Sequence, residues 1–351
     1  MNRSTEPEPW PALIQTETEL DDVLTRPSPV LVEFIRELPS PLLVLGAGGK
    51  MGPSLAVLAK RAAAAAAHPL EVVAVSRFSD DSARRWLESS GVRTRSCDLL
   101  DAAAVKQLPD AANVVYLAGL KFGTAQNPAL TWAMNTLVPA NVAERYPRSR
   151  LVALSTGNVY ALAEAARGGS TEGDPLTPLG EYANAAVARE RLFEFCASRH
   201  GTPVALLRLF YAVDLRYGVV VDLARRVLDR QPVPLGNGFF NCIWQGDANE
   251  MILRSLALAS APPSSWNLCR PEIFRVRETA RRLGELLDRE PEFSGVEAAT
   301  ALLGNASRLC AKLGPAAVSM DTLLRWVAHW VKSGGRDLGK PTHFEVRDGS
   351  Y

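Results

Sequence analysis

Leu42-Leu-Val-Leu-Gly-Ala-Gly-Gly-Lys-Met-Gly52 decides how the whole chain is read. Four apolar residues of strand length run straight into a glycine-rich loop, and a helical, Ala-rich stretch follows from about Met51 to Ala67. Glycines at 46, 49 and 52 let the chain turn and let a phosphate approach the backbone. The N-terminus of the helix then faces that phosphate with unpaired N–H groups. A GxxGxxG pattern alone is weak, but here it follows a first strand and opens a first helix, which is the context the motif needs. The spacing predicts a dinucleotide site in which Gly46, Gly48, Gly49, Lys50, Met51 and Gly52 line the pyrophosphate. A tight strand–helix turn kept for packing is the competing reading.

Outward from this loop, short apolar runs alternate with longer helical ones. Strands are expected at 42–45, 72–75, 92–96, 114–117, 151–154 and 204–207, nearly all apolar because both faces of a parallel sheet are covered. Helices are expected at 51–67, 80–90, 101–107, 128–145 and 181–200. This alternation predicts an α/β fold, a Rossmann-type doubly wound parallel sheet with a smaller C-terminal α/β substrate domain. The expected organisation is an N-terminal helical extension over 1–40, a dinucleotide-binding domain over 41–210, a substrate-binding domain over 211–335 and a tail over 336–351. After Phe210 the alternation lapses, Pro and Gly rise through Gln231–Gly238, and helices are expected near 247–260, 275–288 and 319–334. The N-terminal stretches ELDDVL and LVEFIREL read as short helices packed on the outside or, equally, as a loose arm. The tail reads as disordered, as a cap over a cleft or as a subunit contact.

Composition narrows the partners. The 351 residues carry 39 Lys and Arg against 38 Asp and Glu, a formal charge of +1, so no basic field draws in a nucleic acid or an anionic membrane. No run of 18 apolar residues occurs and the acidic start has no apolar signal segment, so neither a membrane span nor a signal peptide is expected, and the chain is placed in the cytoplasm. The five cysteines are widely spaced without a CxxC, which argues against a disulfide framework and a zinc site, and no metal is expected. The four histidines stand singly and read as structural.

The second strand ends Val75-Ser-Arg-Phe78. A ribose 2′-hydroxyl calls for a carboxylate here, whereas Arg77, next to Ser76, suits a 2′-phosphate, so NADP is favoured over NAD. Asp80 and Asp81 read better as the cap of the next helix. After the third strand, Asp98 and Leu99 are expected near the adenine, with helix capping by Asp98 or Asp101 as the open alternative.

Taken together, the glycine loop, Asp98, Leu117-Ala-Gly-Leu-Lys-Phe122, Asn135, Leu154-Ser-Thr-Gly-Asn-Val-Tyr160, Tyr182, Arg208-Leu-Phe210 and Trp266-Asn-Leu268 resemble the extended short-chain dehydrogenase/reductase family, the NAD-dependent epimerase/dehydratase group, over about 41–331. The resemblance implies an NAD(P)-dependent epimerase or oxidoreductase acting on a hydroxyl or carbonyl of a sugar or sugar-like substrate, as a possible homodimer through the helices at 128–145 and 181–200. It implies Thr156 as the anchor of the substrate oxygen and Tyr182 as the acid/base. Leu117, Ala118, Gly119, Lys121 and Asn135 would lie on the cofactor side. Asn158, Arg208, Arg216, Asn241 and Trp244 are candidate substrate contacts, each with a plain packing or surface role as the alternative.

The chain departs from the family at Ala186, where the YxxxK pattern carries a lysine that lowers the tyrosine pKa and holds the nicotinamide ribose. Arg189 and Arg191 lie two turns past Tyr182 and read as out of reach. Lys121 is the candidate substitute, or else a cofactor-phosphate or surface cation. Gly157 and Asn158 stand where dehydratases carry an acidic pair, so dehydration is disfavoured. Two rivals stay open: a catalytically silent dinucleotide-binding sensor or partner subunit, and a hydrolytic or lyase activity that reuses the cleft.

Overall fold

The structure, a computed structural model, describes residues 10–79, 81–121, 123–124, 126–340 and 342–350. Asp80 of the expected cap, Phe122 of the resembling stretch and Tyr351 of the tail lie outside the described residues. Seven parallel strands form the central sheet: β1 (Leu42–Leu45), β2 (Val72–Ser76), β3 (Arg93–Ser96), β4 (Asn113–Tyr116), β5 (Arg150–Thr156), β6 (Val204–Leu209) and β7 (Ser264–Leu268). Their order across the sheet is 7-6-5-4-1-2-3, with β1 between β2 and β4. The six expected strands are all present. The seventh was not expected, since Trp266-Asn-Leu268 read as a motif and not as a strand. β3 is polar and mostly exposed (Arg-Thr-Arg-Ser) because it is an edge strand.

Alternation along the buried strands sends neighbouring side chains to opposite faces. Leu42 and Val44 join one core with Val72, Ala74, Val152 and Leu207, while Leu43 and Leu45 join the other with Val73, Val75, Val114 and Leu206. Both cores are covered by helices, as a doubly wound sheet requires. Of the twelve α-helices among the described residues, α1 (Glu17–Leu24), α2 (Pro29–Arg36), α3 (Gly52–Ala65), α4 (Asp81–Ser89), α5 (Ala102–Lys106), α6 (Pro128–Arg145) and α7 (Gly180–His200) precede β6. α8 (Val219–Leu228), α9 (Gln245–Arg254), α10 (Val276–Leu287), α11 (Ser307–Leu313) and α12 (Met320–Lys332) follow it. α8 and α11 had no counterpart in the sequence reading.

A third core gathers α8, α10 and α12 around Trp244, Phe240 and Trp326, with Leu20, Val23 and Leu24 of α1 and Phe344 of the tail inserted into it. The chain after Phe210 feeds this core and one of the sheet cores, because α9 and β7 return to the sheet. α2 buries Leu31 and Ile35 against the sheet core, and capping by Thr16 and Ser28 fixes the starts of α1 and α2. Among the described residues no helix is long and apolar enough to cross a membrane.

Candidate functional site

The carboxyl ends of β1, β4, β5 and β6 open onto one cleft of about 380 Å³, the edge of such a sheet where ligands collect. The glycine loop forms its floor. Gly46 has a φ of +84°, and a Cβ there would stand 2.7 Å from the Ala118 nitrogen. A Cβ on Gly48 would stand 2.5 Å from the Ser76 hydroxyl, and one on Gly52 would strike Ala47. Glycine is therefore needed for the turn, for the approach of β2 and for seating α3. Met51, the N-cap of α3, makes no side-chain capping hydrogen bond, so no side chain from that position competes for the first-turn N–H groups. These features fit a dinucleotide pyrophosphate.

Thr156 ends β5 and is buried. Its hydroxyl accepts hydrogen bonds from the Asn158 backbone N–H at 3.2 Å and the Asn158 side-chain amide at 3.1 Å. Both lone pairs are then engaged, which leaves donation as the remaining hydrogen-bonding capacity of this hydroxyl. Tyr182, the third residue of α7, is buried and lines the same cleft, as do Asn158, Leu117, Gly119 and a half-buried Lys121. Burial pulls the Lys121 ammonium down to about 8.

Asn135 is fully buried behind this wall. Its amide donates to the Leu120 and Thr131 carbonyls, and its oxygen accepts from Arg189 at 2.5 Å. Arg189 also donates to the Leu154 carbonyl at 2.6 Å and lines the cleft, where the sequence had pointed to no contact for it. Seven residues bring the helix back to nearly the same face, so the 182–189 spacing was the signal that could have found it. A Cβ on Gly119 would meet both the Arg189 guanidinium and the Asn135 oxygen, which explains the glycine.

Ala186 is fully buried in an apolar cluster with Val159, Phe210 and Leu302. Phe210 packs so closely that a Cβ on Gly157 or Gly304 would strike its ring.

The other candidates stand elsewhere. Arg77 is exposed at the end of β2 beside Ser76. Asp98 is exposed and accepts from the Leu100 N–H, while Asp101 caps α5. Leu99 packs in the core. Four of the proposed substrate contacts do not line the cleft. Arg208 is held by Glu190 and Tyr160, because a buried guanidinium requires a carboxylate. Arg216 pairs with Asp214 and with Asp21 of α1. Asn241 is spent on the Gly304 and Arg270 backbones, and Trp244 packs on Trp326. Lining residues that the sequence did not point to include Ser155, Tyr217 and Lys340, the last two brought in only by tertiary contacts.

The fold is shared with solved epimerases. UDP-glucuronic acid 4-epimerase from Bacillus cereus, in complex with NAD, aligns with a TM-score of 0.68 at 18% identity over 83% of this chain and 96% of that one. UDP-glucose 4-epimerase from Thermus thermophilus, also in complex with NAD, aligns with a TM-score of 0.66 at 21% identity over 84% and 99%. An epimerase from Methanothermobacter thermautotrophicus gives a TM-score of 0.70 at 17% identity over 87% and 96%. No curated protein matches the chain by sequence. The NAD dependent epimerase/dehydratase family matches residues 42–248, more than half of the chain, and the chain belongs to that family.

Proposed function

We propose that this protein is a nicotinamide-dinucleotide-dependent epimerase or oxidoreductase working on a hydroxyl or carbonyl of a sugar or sugar-like substrate. The observation that carries the reading is the convergence of the glycine loop, Thr156, Tyr182 and Lys121 on a single cleft. The dinucleotide, when bound, supplies the site that accepts or returns a hydride. Thr156 donates its hydroxyl hydrogen bond to the substrate oxygen. Tyr182 takes the proton from that oxygen or returns it. The Lys121 ammonium supplies positive charge from the same cleft as electrostatic support. Apolar walls from Leu154, Leu209, Phe210 and Leu302 limit water around the reacting atoms.

Arg77, exposed beside the glycine loop, supports a preference for NADP over NAD. A dimer is supported by α6 and α7, which leave Leu130, Trp132, Leu137 and Phe195 exposed. A cytoplasmic location completes the reading. The apolar burial of Ala186 favours a second reading, a catalytically silent dinucleotide-binding sensor or partner subunit.

The deciding experiment identifies any nucleotide released on denaturation by mass spectrometry and then titrates the emptied protein with NADP(H) and NAD(H). Retained dinucleotide is expected of an epimerase that recycles it, and reversible binding is expected of an oxidoreductase. NADP(H) should bind more tightly, and Arg77→Asp should move the preference toward NAD by about ten-fold, equivalent to about 1.4 kcal/mol. Absence of binding by either dinucleotide overturns the proposal.

A further inference from the structure

Gln245 lines the cleft, is 3% exposed and has no part in the chemistry assigned to Thr156, Tyr182 and Lys121. It opens α9 directly after Cys242–Trp244, which pairs in parallel with Tyr211–Val213. That pairing fixes its backbone beside the part of the cleft wall made by Tyr211 and Ala212.

The orientation of its side-chain amide follows from the protons available. The Ser54 hydroxyl, near the start of α3, has one proton, which goes to the Met51 carbonyl at 3.1 Å. Its lone pairs must then meet donors. Gln245 supplies one N–H at 3.1 Å, and Asn249 supplies the other at 2.9 Å. Both amides are thereby turned with nitrogen toward Ser54 and oxygen away from it. The oxygen of Asn249 is sealed in the interior, on a residue that does not line the cleft. The oxygen of Gln245 also receives no hydrogen bond from the described residues, but it is not sealed, and its residue forms cleft wall. A nearly buried acceptor without a donor destabilises the empty protein, and a ligand that enters the cleft with an N–H or O–H removes that penalty. An apolar side chain would close the wall without it.

The two ends of the cleft say which donor that is. The pyrophosphate is suited by the start of α3, and Gln245 stands two hydrogen bonds from the Met51 carbonyl there. Thr156 and Tyr182 mark the other end. The part of a dinucleotide that joins these ends is its nicotinamide half, whose donors are the ring carboxamide and the ribose hydroxyls. Met51, Leu209, Phe210 and Ala212 supply apolar lining that suits a flat ring. A single acceptor in such a wall matches a carboxamide N–H, whereas ribose hydroxyls, each donor and acceptor, call for several polar partners.

We infer that Gln245 positions the cofactor: its side-chain oxygen accepts a hydrogen bond from the carboxamide NH2 of the nicotinamide and holds the ring in one orientation. The inference rests on the dinucleotide-dependent reading above.

The test is calorimetric titration of the emptied protein with the preferred dinucleotide, NADP or NAD, and with its 3-acetylpyridine analogue, in which a methyl replaces the carboxamide NH2. The parent dinucleotide should bind about ten-fold more tightly, the worth of one hydrogen bond closed in a desolvated cleft. Gln245→Met, similar in volume but without the acceptor, should bring that ratio below about three-fold by weakening the parent alone. Asn249→Leu disturbs the same Ser54 hydroxyl and should leave the ratio at its wild-type value. A wild-type ratio near one overturns the inference before any variant is made. So does a ratio that Gln245→Met leaves intact, or an equal loss for both dinucleotides, which would assign Gln245 to a ribose hydroxyl. A collapse of the ratio in Asn249→Leu also overturns it, because the effect would then come from the packing around Ser54. Failure to bind any dinucleotide is a different result: it removes the functional reading and this inference with it.

Discussion

Arg208 and Lys121 both stand near the carboxyl ends of strands in one sheet, yet their surroundings are opposite. Arg208 is buried with Glu190 at 2.7 Å and Tyr160 at 2.6 Å; Ser155 donates to Glu190, and the Tyr160 hydroxyl donates to Asn267. Burial pushes the Tyr160 phenol up to about 12 against the pull of Arg208. Lys121 shares a cleft with two further lysines and no carboxylate among the described lining residues. A closed network with its own carboxylate holds the shape of the protein, whereas a cationic cleft suits a molecule from outside.

The strongest way to break this contrast is Arg208→Met, which strands Glu190 as a buried, unpaired charge. A loss of roughly 3–5 kcal/mol in urea unfolding is expected, and adding Glu190→Gln should restore at least half of it. A loss of under about 1 kcal/mol would make the network incidental.

Next in size is the pair of tyrosines. Tyr182→Phe should lower turnover about a hundred-fold or more with little change in dinucleotide affinity, whereas Tyr160→Phe should cost about 1 kcal/mol of stability through its lost hydrogen bonds. Similar kinetics for the two variants would erase the distinction between cleft and network. Steady-state rates and dinucleotide titrations read both.

The smallest expected effect is that of Lys121→Met. Burial holds the Lys121 ammonium at about 8, so the limb of the rate profile that reports the loss of its charge should lie near there and vanish in the variant. Stability should stay the same or rise, opposite in sign to Arg208→Met, because a half-desolvated ammonium is lost. An unmoved profile would remove Lys121 from the chemistry and leave it as a binding cation.

Much of this was legible before the chain was folded. The glycine loop, the apolar strand runs and the Ala-rich helices are local signals, set by a few neighbouring residues, and they placed six strands and the sheet edge where Thr156, Tyr182 and Lys121 meet. Arg189 was half legible, since its helical spacing from Tyr182 was visible but its place in the cleft wall was not expected. The fates of Arg208 and Arg216 were not legible, because the partners that claim them, Glu190, Asp214 and Asp21, are chosen by packing.

By itself, then, the sequence determined the alternation of strand and helix, the turn that suits a phosphate and the residue types available for proton transfer, since these depend on periodicity and on the conformational freedom of glycine. Tertiary structure alone decided that β7 and α9 return to the sheet and that a tail more than 150 residues past Tyr182 sets Lys340 at the same cleft. The physical reason is that burial and charge pairing act through space, and a buried arginine finds its carboxylate wherever the folded chain presents one.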